Sequence, residues 1–295
     1  MHFLPNHPPE ALGAKAAAAN LSDLAAVGAW PAWILVSLGA PGRTPLGWVE
    51  ALYRGMRAVM APYGCRCVGG DCVRAERLTI NIAAGGACDP RANVPLRSRA
   101  RPGQALYVTG TLGDSGAGLW LLRNAAKSGG QAGLPGARGR PRDARILLER
   151  HQRPTPRVQA GLAIARACPD AAMMDVSDGL ATDLARMARA SGCGFELSLP
   201  TLPLSAPLRR VARCLPLPPE SFALFGGEDY ELLFTTAVPL PRWRGKVERG
   251  AAGRGGAGSP LGVTCIGRAV EREGVRYLDA AGRPETPPGS PFEHF

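Results

Sequence analysis

The run Asp175-Val176-Ser177-Asp178-Gly179-Leu180, followed by Asp183, places three carboxylates and a hydroxyl within nine residues. Ala171 to Met174, just before it, is apolar, and Leu180, Leu184, Met187 and Ala188 recur after it at three- and four-residue steps. That spacing puts the acidic cluster where a strand gives way to a helix. Ser177 or Asp178 would serve as the helix cap. Asp175 is a further carboxylate on the strand side, and neither it nor Asp178 has a neutralising partner in sequence. Clustered carboxylates repel one another unless cations intervene, and hard oxygen ligands select Mg²⁺. The segment therefore reads as a metal site, with Asp183 serving the helix surface.

Three other motifs carry acidic side chains. Asn20-Leu21-Ser22-Asp23-Leu24-Ala25-Ala26 ends an Ala-rich helical run that begins near Pro9. Asn20 and Asp23 share one face of that helix, and Leu21 and Leu24 lie on another. In Gly226-Gly227-Glu228-Asp229-Tyr230-Glu231-Leu232-Leu233-Phe234 polar and apolar residues nearly alternate after the glycines, as in a loop entering a strand. In Gly69-Gly70-Asp71 a flexible backbone precedes another carboxylate. Paired glycines let backbone N–H groups approach a phosphate, and the Asp can hold its metal. Each of these three also fits a plain reading: a solvated helix face, a strand-end turn, a tight turn.

The elements that must position these residues alternate between helix and strand. The periodicity predicts helices over 9–28, 46–61, 115–127 and 157–167, then the strand–helix unit of 171–192. Strands are predicted over 33–40, 77–85 and 105–109, and near 193–198, 229–236, 262–268 and 275–279. Pro and Gly in Arg101-Pro102-Gly103 interrupt both periodicities, which suggests a domain change there. An α/β (α+β) chain of two domains, 1–102 and 103–295, is the expectation.

Composition narrows the function classes. At 295 residues with 45% apolar content, the chain is long enough for two cores and too apolar to be disordered. The longest apolar stretch, Trp30 to Ala40, is cut by Pro31 and Gly39 and is too short to span a bilayer. The first residues lack the basic and apolar regions of a signal peptide, so a cytoplasmic protein with no membrane partner is expected. The net charge of +11 comes from residues 123–157 and 242–254, both Gly-rich and, Trp243 apart, without aromatics to stack on bases. They read as solvated loop insertions, and no nucleic-acid partner is expected. Of eight cysteines, only Cys65, Cys67, Cys72 and Cys88 cluster, without the paired spacing of a zinc site. Free thiols in a reducing compartment are the better reading.

Taken in order, these motifs resemble a known family. His2-Phe3, Asn20-Leu-Ser-Asp23-Leu-Ala-Ala-x-Gly28-Ala29, Gly69-Gly-Asp71, Arg97-Ser98, Asp175-x-Ser-Asp-Gly-Leu180, Gly226-Gly-Glu-Asp-Tyr-Glu-Leu232 and Phe292-x-His-Phe295 resemble the thiamine-monophosphate kinases from the first residue to the last. That family shares a superfamily with aminoimidazole-ribonucleotide synthetase, selenophosphate synthetase and the hydrogenase maturation dehydratase. The resemblance implies two α/β domains, with the N-terminal one pairing across a homodimer to build a shared barrel. It also implies ATP-dependent phosphorylation of thiamine phosphate to thiamine diphosphate. Asp23, Asp71, Asp175 and Asp178 then fall at magnesium-binding positions. Tyr53, Gly70, Arg97 and Ser177 match positions that contact ATP, while His2, Glu228 and Phe292 match positions that hold thiamine phosphate. Arg99 stands where the family has glycine, close to Arg97.

No Walker A motif is present, because Gly110-x-x-Gly113-x-x-Gly116 lacks the phosphate-binding lysine. Several Mg²⁺ ions must then neutralise the triphosphate, and catalysis consists of positioning and electrostatic stabilisation of in-line transfer. Another ATP-using activity of the superfamily, or a nucleotide-binding remnant without turnover, remains as an alternative. Family members precede His-Phe with a Gly-Asp-Asp segment and two strands. The expectation here is a reading frame that continues upstream of Met1, with little kinase activity in residues 1–295 alone.

Overall fold

The first helix, α1 (Pro9–Ala26), opens with proline at its first position, where the missing N–H has no helical partner to lose. Its alanines let it be buried on several sides at once: Ala11, Ala14, Ala17, Ala18, Leu21 and Ala25 are all in the core. It crosses α2 (Leu46–Met60) in backbone contact. A Cβ on Gly13 would meet the Leu52 carbonyl oxygen at 1.8 Å, and one on Gly55 would meet that of Glu10 at 1.8 Å. Glycine is required at both crossings for that reason. The computed structural model describes residues 3–4, 6–127, 139–240 and 262–289.

These helices cover one face of a three-stranded sheet in the order β2 (Arg66–Arg74), β1 (Ala29–Ala40), β3 (Thr79–Cys88). β1 runs parallel to β2 and antiparallel to β3. Its alternation is clear: Ile34, Val36 and Leu38 are buried under the helices, whereas Trp33, Leu35 and Ser37 are exposed on the other face. β2 was not expected. Its Gly69-Gly70 pair, read as a turn, lies inside the strand. Gly70 has φ 144°, and a Cβ there would meet the Val36 carbonyl oxygen at 1.9 Å. The glycine serves close strand approach.

The second sheet has seven strands in the order β10-β9-β6-β8-β4-β7-β5. They are β4 (Ala105–Thr109), β5 (Ala172–Asp175), β6 (Gly194–Ser198), β7 (Leu232–Thr236), β8 (Val263–Val270), β9 (Gly274–Leu278) and β10 (Pro284–Glu285). All neighbours are antiparallel except β6 and β9. The helices between them are α3 (Asp114–Lys127), α4 (Pro141–Gln152), α5 (Val158–Ala167), α6 (Leu180–Ser191), α7 (Ala206–Ala212) and α8 (Pro219–Phe225). α5 packs on α1 and β1, so one core joins Leu12, Leu21 and Ile34 to Ile164, Met173 and Phe234.

The basic stretch 123–157 corrects the expectation of a solvated insertion. Residues 141–152 form α4, which buries Ala144, Leu147 and His151 against α3, α7 and α8. The dense arginines had hidden an i, i+3, i+7 apolar face. The Gly-rich residues 128–138, and most of 242–254 with its neighbours (241–261), lie outside the described residues. No described helix is long and apolar enough to cross a membrane.

Candidate active site

β5 and β7 are antiparallel, with Asp175 opposite Leu232, so the end of one strand faces the start of the other. The ladder continues past both. Val176 N–H donates to Glu231 O at 2.8 Å, Tyr230 N–H to Val176 O at 3.0 Å, and Glu228 N–H to Ser177 O at 2.7 Å. The two acidic motifs are thereby zipped together. α1 reaches the same place from the other core, and the buried Ser22 hydroxyl donates to Asp175 Oδ2 at 2.8 Å.

The charges gathered here are mostly negative. Burial, aided by the charges of Asp23 and Asp183, pushes the Asp175 carboxyl up to about 6. Asp23 stands exposed at the end of α1, yet the protein around it displaces enough water to raise its carboxyl, against the pull of the Arg97 guanidinium. Burial raises the Tyr230 phenol, and the charges of Glu228, Asp175, Asp23 and Asp178 around it raise it further. Glu228 and Tyr230 have φ of 58° and 52°, backbone that L-residues rarely hold unless their surroundings fix it.

Two expectations are corrected at this cluster. Asp183 is fully buried rather than at the helix surface. Its Oδ2 accepts the N–H groups of Ser177 and Asp178 at 2.9 Å each, and Arg186 bonds Oδ1 at 3.0 Å, so it holds the acidic turn in shape. Burial pushes its carboxyl up to about 6. Asp178 also has a neutralising partner after all: Arg186, two turns into α6, pairs with its Oδ2. Both side chains are nearly half exposed, so the pair is cheap to break.

The other candidates fall in two places. Arg97 lies in the connector after β3, within electrostatic reach of Asp23. Tyr53, on α2, is raised to about 12 by burial and by the Cys72 and Cys67 thiols, which places it against β2. Asp71 pairs in register with Ser37, so it shares the open face of the three-stranded sheet rather than the helix-covered one. Its carboxylate accepts the Cys72 N–H at 2.8 Å. His2 and Phe292 lie outside the described residues. Among the described residues, no group of three or more His, Cys, Asp or Glu side chains is arranged to hold a metal ion.

Sequence reading missed a set of buried partners behind this mouth. Lys15 Nζ donates to Glu228 Oε2 at 2.8 Å. Glu231, fully buried, takes Arg157 through Nε at 2.6 Å and Nη2 at 2.5 Å, and Thr109 Oγ1 at 2.7 Å. Asp229 accepts the N–H groups of Gly113 at 2.7 Å and Ser115 at 3.2 Å, where α3 begins. Lys15 did leave a signal. It is a charged residue four after Ala11 and three before Ala18, on the buried side of an alanine helix.

This chain, with its largely antiparallel sheet and acidic mouth joined to a small helix-covered sheet, belongs to the AIR synthase related proteins. The N-terminal domain model of that family matches residues 1–88 and the C-terminal domain model residues 101–240. Within that class the chain belongs to the thiamine-monophosphate kinase family, kinases whose acceptor is itself a phosphate group. It is 39% identical to the thiamine-monophosphate kinase of Salmonella typhimurium over 298 residues, covering all of this chain and 83% of that one. A structure of the Aquifex aeolicus thiamine monophosphate kinase has TM-score 0.80 and 35% identity, covering 97% of this chain and 85% of that one. AaThiL complexed with AMPPCP and TMP has TM-score 0.79 and 34% identity, covering 97% of this chain and 81% of that one. These matches favour the kinase over another ATP-using activity of the superfamily.

Proposed function

We propose that this chain transfers the γ-phosphoryl group of ATP to thiamine phosphate, giving thiamine diphosphate, by direct in-line transfer assisted by Mg²⁺. The observation that carries this is the convergence of Asp23, Asp175, Asp178 and Glu228 around Tyr230, in a chain similar along its length to a kinase complexed with an ATP analogue and TMP. Ser177, Arg97, Tyr53 and Gly70 would contact ATP, and Glu228, His2 and Phe292 would hold thiamine phosphate.

The donor set fits magnesium in part. Asp175 is a buried carboxylate beside Asp23 and Asp183, bonded by a neutral hydroxyl and no cation, so a divalent ion would relieve its repulsions. Asp178 would have to exchange Arg186 for the metal. Mg²⁺ keeps several waters and is usually held by one or two carboxylates together with substrate phosphates, so a ready cage of protein ligands is not required. Asp175, Asp178, Asp23 and Asp71 would hold it, and bound Mg²⁺ would supply charge neutralisation at the transferring phosphoryl group.

The open face of the three-stranded sheet, with Trp33 and Leu35 about two-fifths exposed, suits burial against a second copy, and we propose a homodimer formed through it. We propose also that residues 1–102 and 103–295 act as the ATP/Mg-binding, dimerising domain and the C-terminal α/β domain. The eight free thiols suit a cytoplasmic protein.

The test is formation of thiamine diphosphate from ATP, thiamine phosphate and Mg²⁺ by the purified chain, followed by chromatography. Binding of ATP·Mg²⁺ by calorimetry with no product would instead make the chain a nucleotide-binding protein without turnover. Glu228→Gln should raise the KM for thiamine phosphate and leave that for ATP nearly unchanged. The opposite pattern would move Glu228 to the nucleotide side.

A further inference from the structure

Lys15 is a buried lysine in an alanine-rich helix, and its surroundings are specific. Its Nζ lies 2.8 Å from Glu228 Oε2 and 3.3 Å from His151 Nε2. The other imidazole nitrogen, His151 Nδ1, lies 3.1 Å from Ser115 Oγ and 3.5 Å from Glu228 Oε2. Burial holds His151 down at about 2 and the adjacent His7 at about 4, so both rings are neutral at pH 7. Burial lowers the Lys15 ammonium, and the Glu228 carboxylate bonded to it pulls the other way. An ammonium has donors and no acceptor, so the ring nitrogen facing it must be the acceptor. His151 therefore carries its proton on Nδ1, the nitrogen beside Ser115 and Glu228.

Glu228 is fixed from outside at both ends. Its backbone has φ 58° and is tied to Ser177 O. Oε2 is tied to Lys15, while Oε1 takes no hydrogen bond from a described residue, and the side chain keeps 20% of its surface exposed. A buried ion pair is a poor source of stability compared with apolar side chains of the same volume. The arrangement makes better sense as one that fixes where a partly open carboxylate points.

We propose that Lys15 and His151 are positioning residues for substrate recognition, holding Glu228 so that its free oxygen Oε1 faces the bound thiamine phosphate. This rests on the reading of Glu228 as a thiamine-phosphate residue. Lys15 supplies a donor and counter-charge at 2.8 Å that anchors the carboxylate on Oε2. His151, on α4, contacts the Lys15 ammonium through Nε2 and is itself oriented by Ser115 through Nδ1.

The experiment uses the full chain and steady-state kinetics, with calorimetric binding of thiamine phosphate as a parallel readout. Lys15→Met and His151→Leu should raise the KM or Kd for thiamine phosphate about tenfold, with kcat and the KM for ATP within about threefold. His151→Gln keeps one acceptor and one donor and should recover most of the loss. The double variant Lys15→Met/Glu228→Gln should be no worse than Glu228→Gln alone, because residues acting as one unit are not additive. Arg153→Ala, which breaks only the exposed link of α4 to Glu10 of α1 and Glu149, should leave all constants unchanged and controls for loosened helix packing.

If Glu228→Gln weakens thiamine phosphate while folded Lys15→Met does not, the positioning role is wrong and the substrate reading survives. Equal losses for ATP and thiamine phosphate would also overturn the positioning role. A normal thiamine-phosphate KM in Glu228→Gln overturns the assignment of Glu228, and this inference with it. Should Lys15→Met fail to fold, the contrast between His151→Leu and His151→Gln decides the matter. Equal constants in those two variants would sink the idea.

Discussion

The two walls of the acidic mouth are built on opposite electrostatic plans. In the 226–231 loop each carboxylate has protein partners: Glu228 has Lys15, Glu231 has Arg157 and Thr109, and Asp229 has two backbone N–H groups. On the facing side, Asp175 has a single hydroxyl and two acidic neighbours, and Asp178 holds only an exposed arginine. The first wall leaves Glu228 Oε1 open to a ligand and its other carboxylates satisfied. The second is left with repulsion that a cation and a phosphate would relieve. Substitutions at Glu231 and Asp229 should therefore cost stability, and those at Asp175 and Asp178 activity.

The largest effect is expected on the paired wall. Arg157→Met would strand the buried Glu231 carboxylate and should lower unfolding free energy by about 3 kcal/mol, measured by urea denaturation. A loss in the range of an ordinary surface change would show that Arg150, 3.5 Å from Glu231, replaces it. On the facing wall, Asp175→Asn should cut turnover by about a hundredfold or more without lowering the melting temperature of the ligand-free protein. A destabilised but active variant would reverse the contrast between the walls.

Asp229 offers a pH test of the paired wall. Burial pushes its carboxyl up to about 8, with the two backbone N–H groups pulling the other way. A folded-state value above that of the unfolded chain favours folding of the neutral acid. The contribution is full below about pH 4 and is lost as pH rises through about 8. Urea midpoints between those limits should fall more steeply in the parent than in Asp229→Asn, and identical slopes would remove Asp229 as the cause. The smallest effect concerns Arg186→Ala. Its pair with Asp178 is exposed, so stability should change by less than about 1 kcal/mol. Freed from its competitor, Asp178 should let Mg²⁺ reach half-maximal activity at a concentration several-fold lower. A higher requirement would mean that Arg186 supports the metal side rather than competing with it.

Much of the fold was legible in sequence because period and punctuation agree there. α1, α2, α5 and the β5–α6 unit show their helical stripes, and β1, β4 and β7 their strand character. β2 was hidden because Gly69-Gly70 has the composition of a turn, while the chain uses it for close approach to β1. α4 was hidden because three arginines and two acidic residues outweighed Ala144, Leu147 and His151 on its buried face. Asp183 read as a surface residue because helix position alone does not reveal that the preceding turn folds back onto it.

The sequence by itself determined the identity and order of the acidic motifs, and with them the family. These are local patterns, each complete within a few residues. The tertiary structure alone decided which carboxylates are neutralised and by what. Lys15 meets Glu228 across 213 positions, Ser22 meets Asp175 across 153, and Arg157 meets Glu231 across 74. No periodicity spans such distances. They are set by how α1 packs between two sheets and by the antiparallel register of β5 with β7, and a charge's environment is a property of that packing.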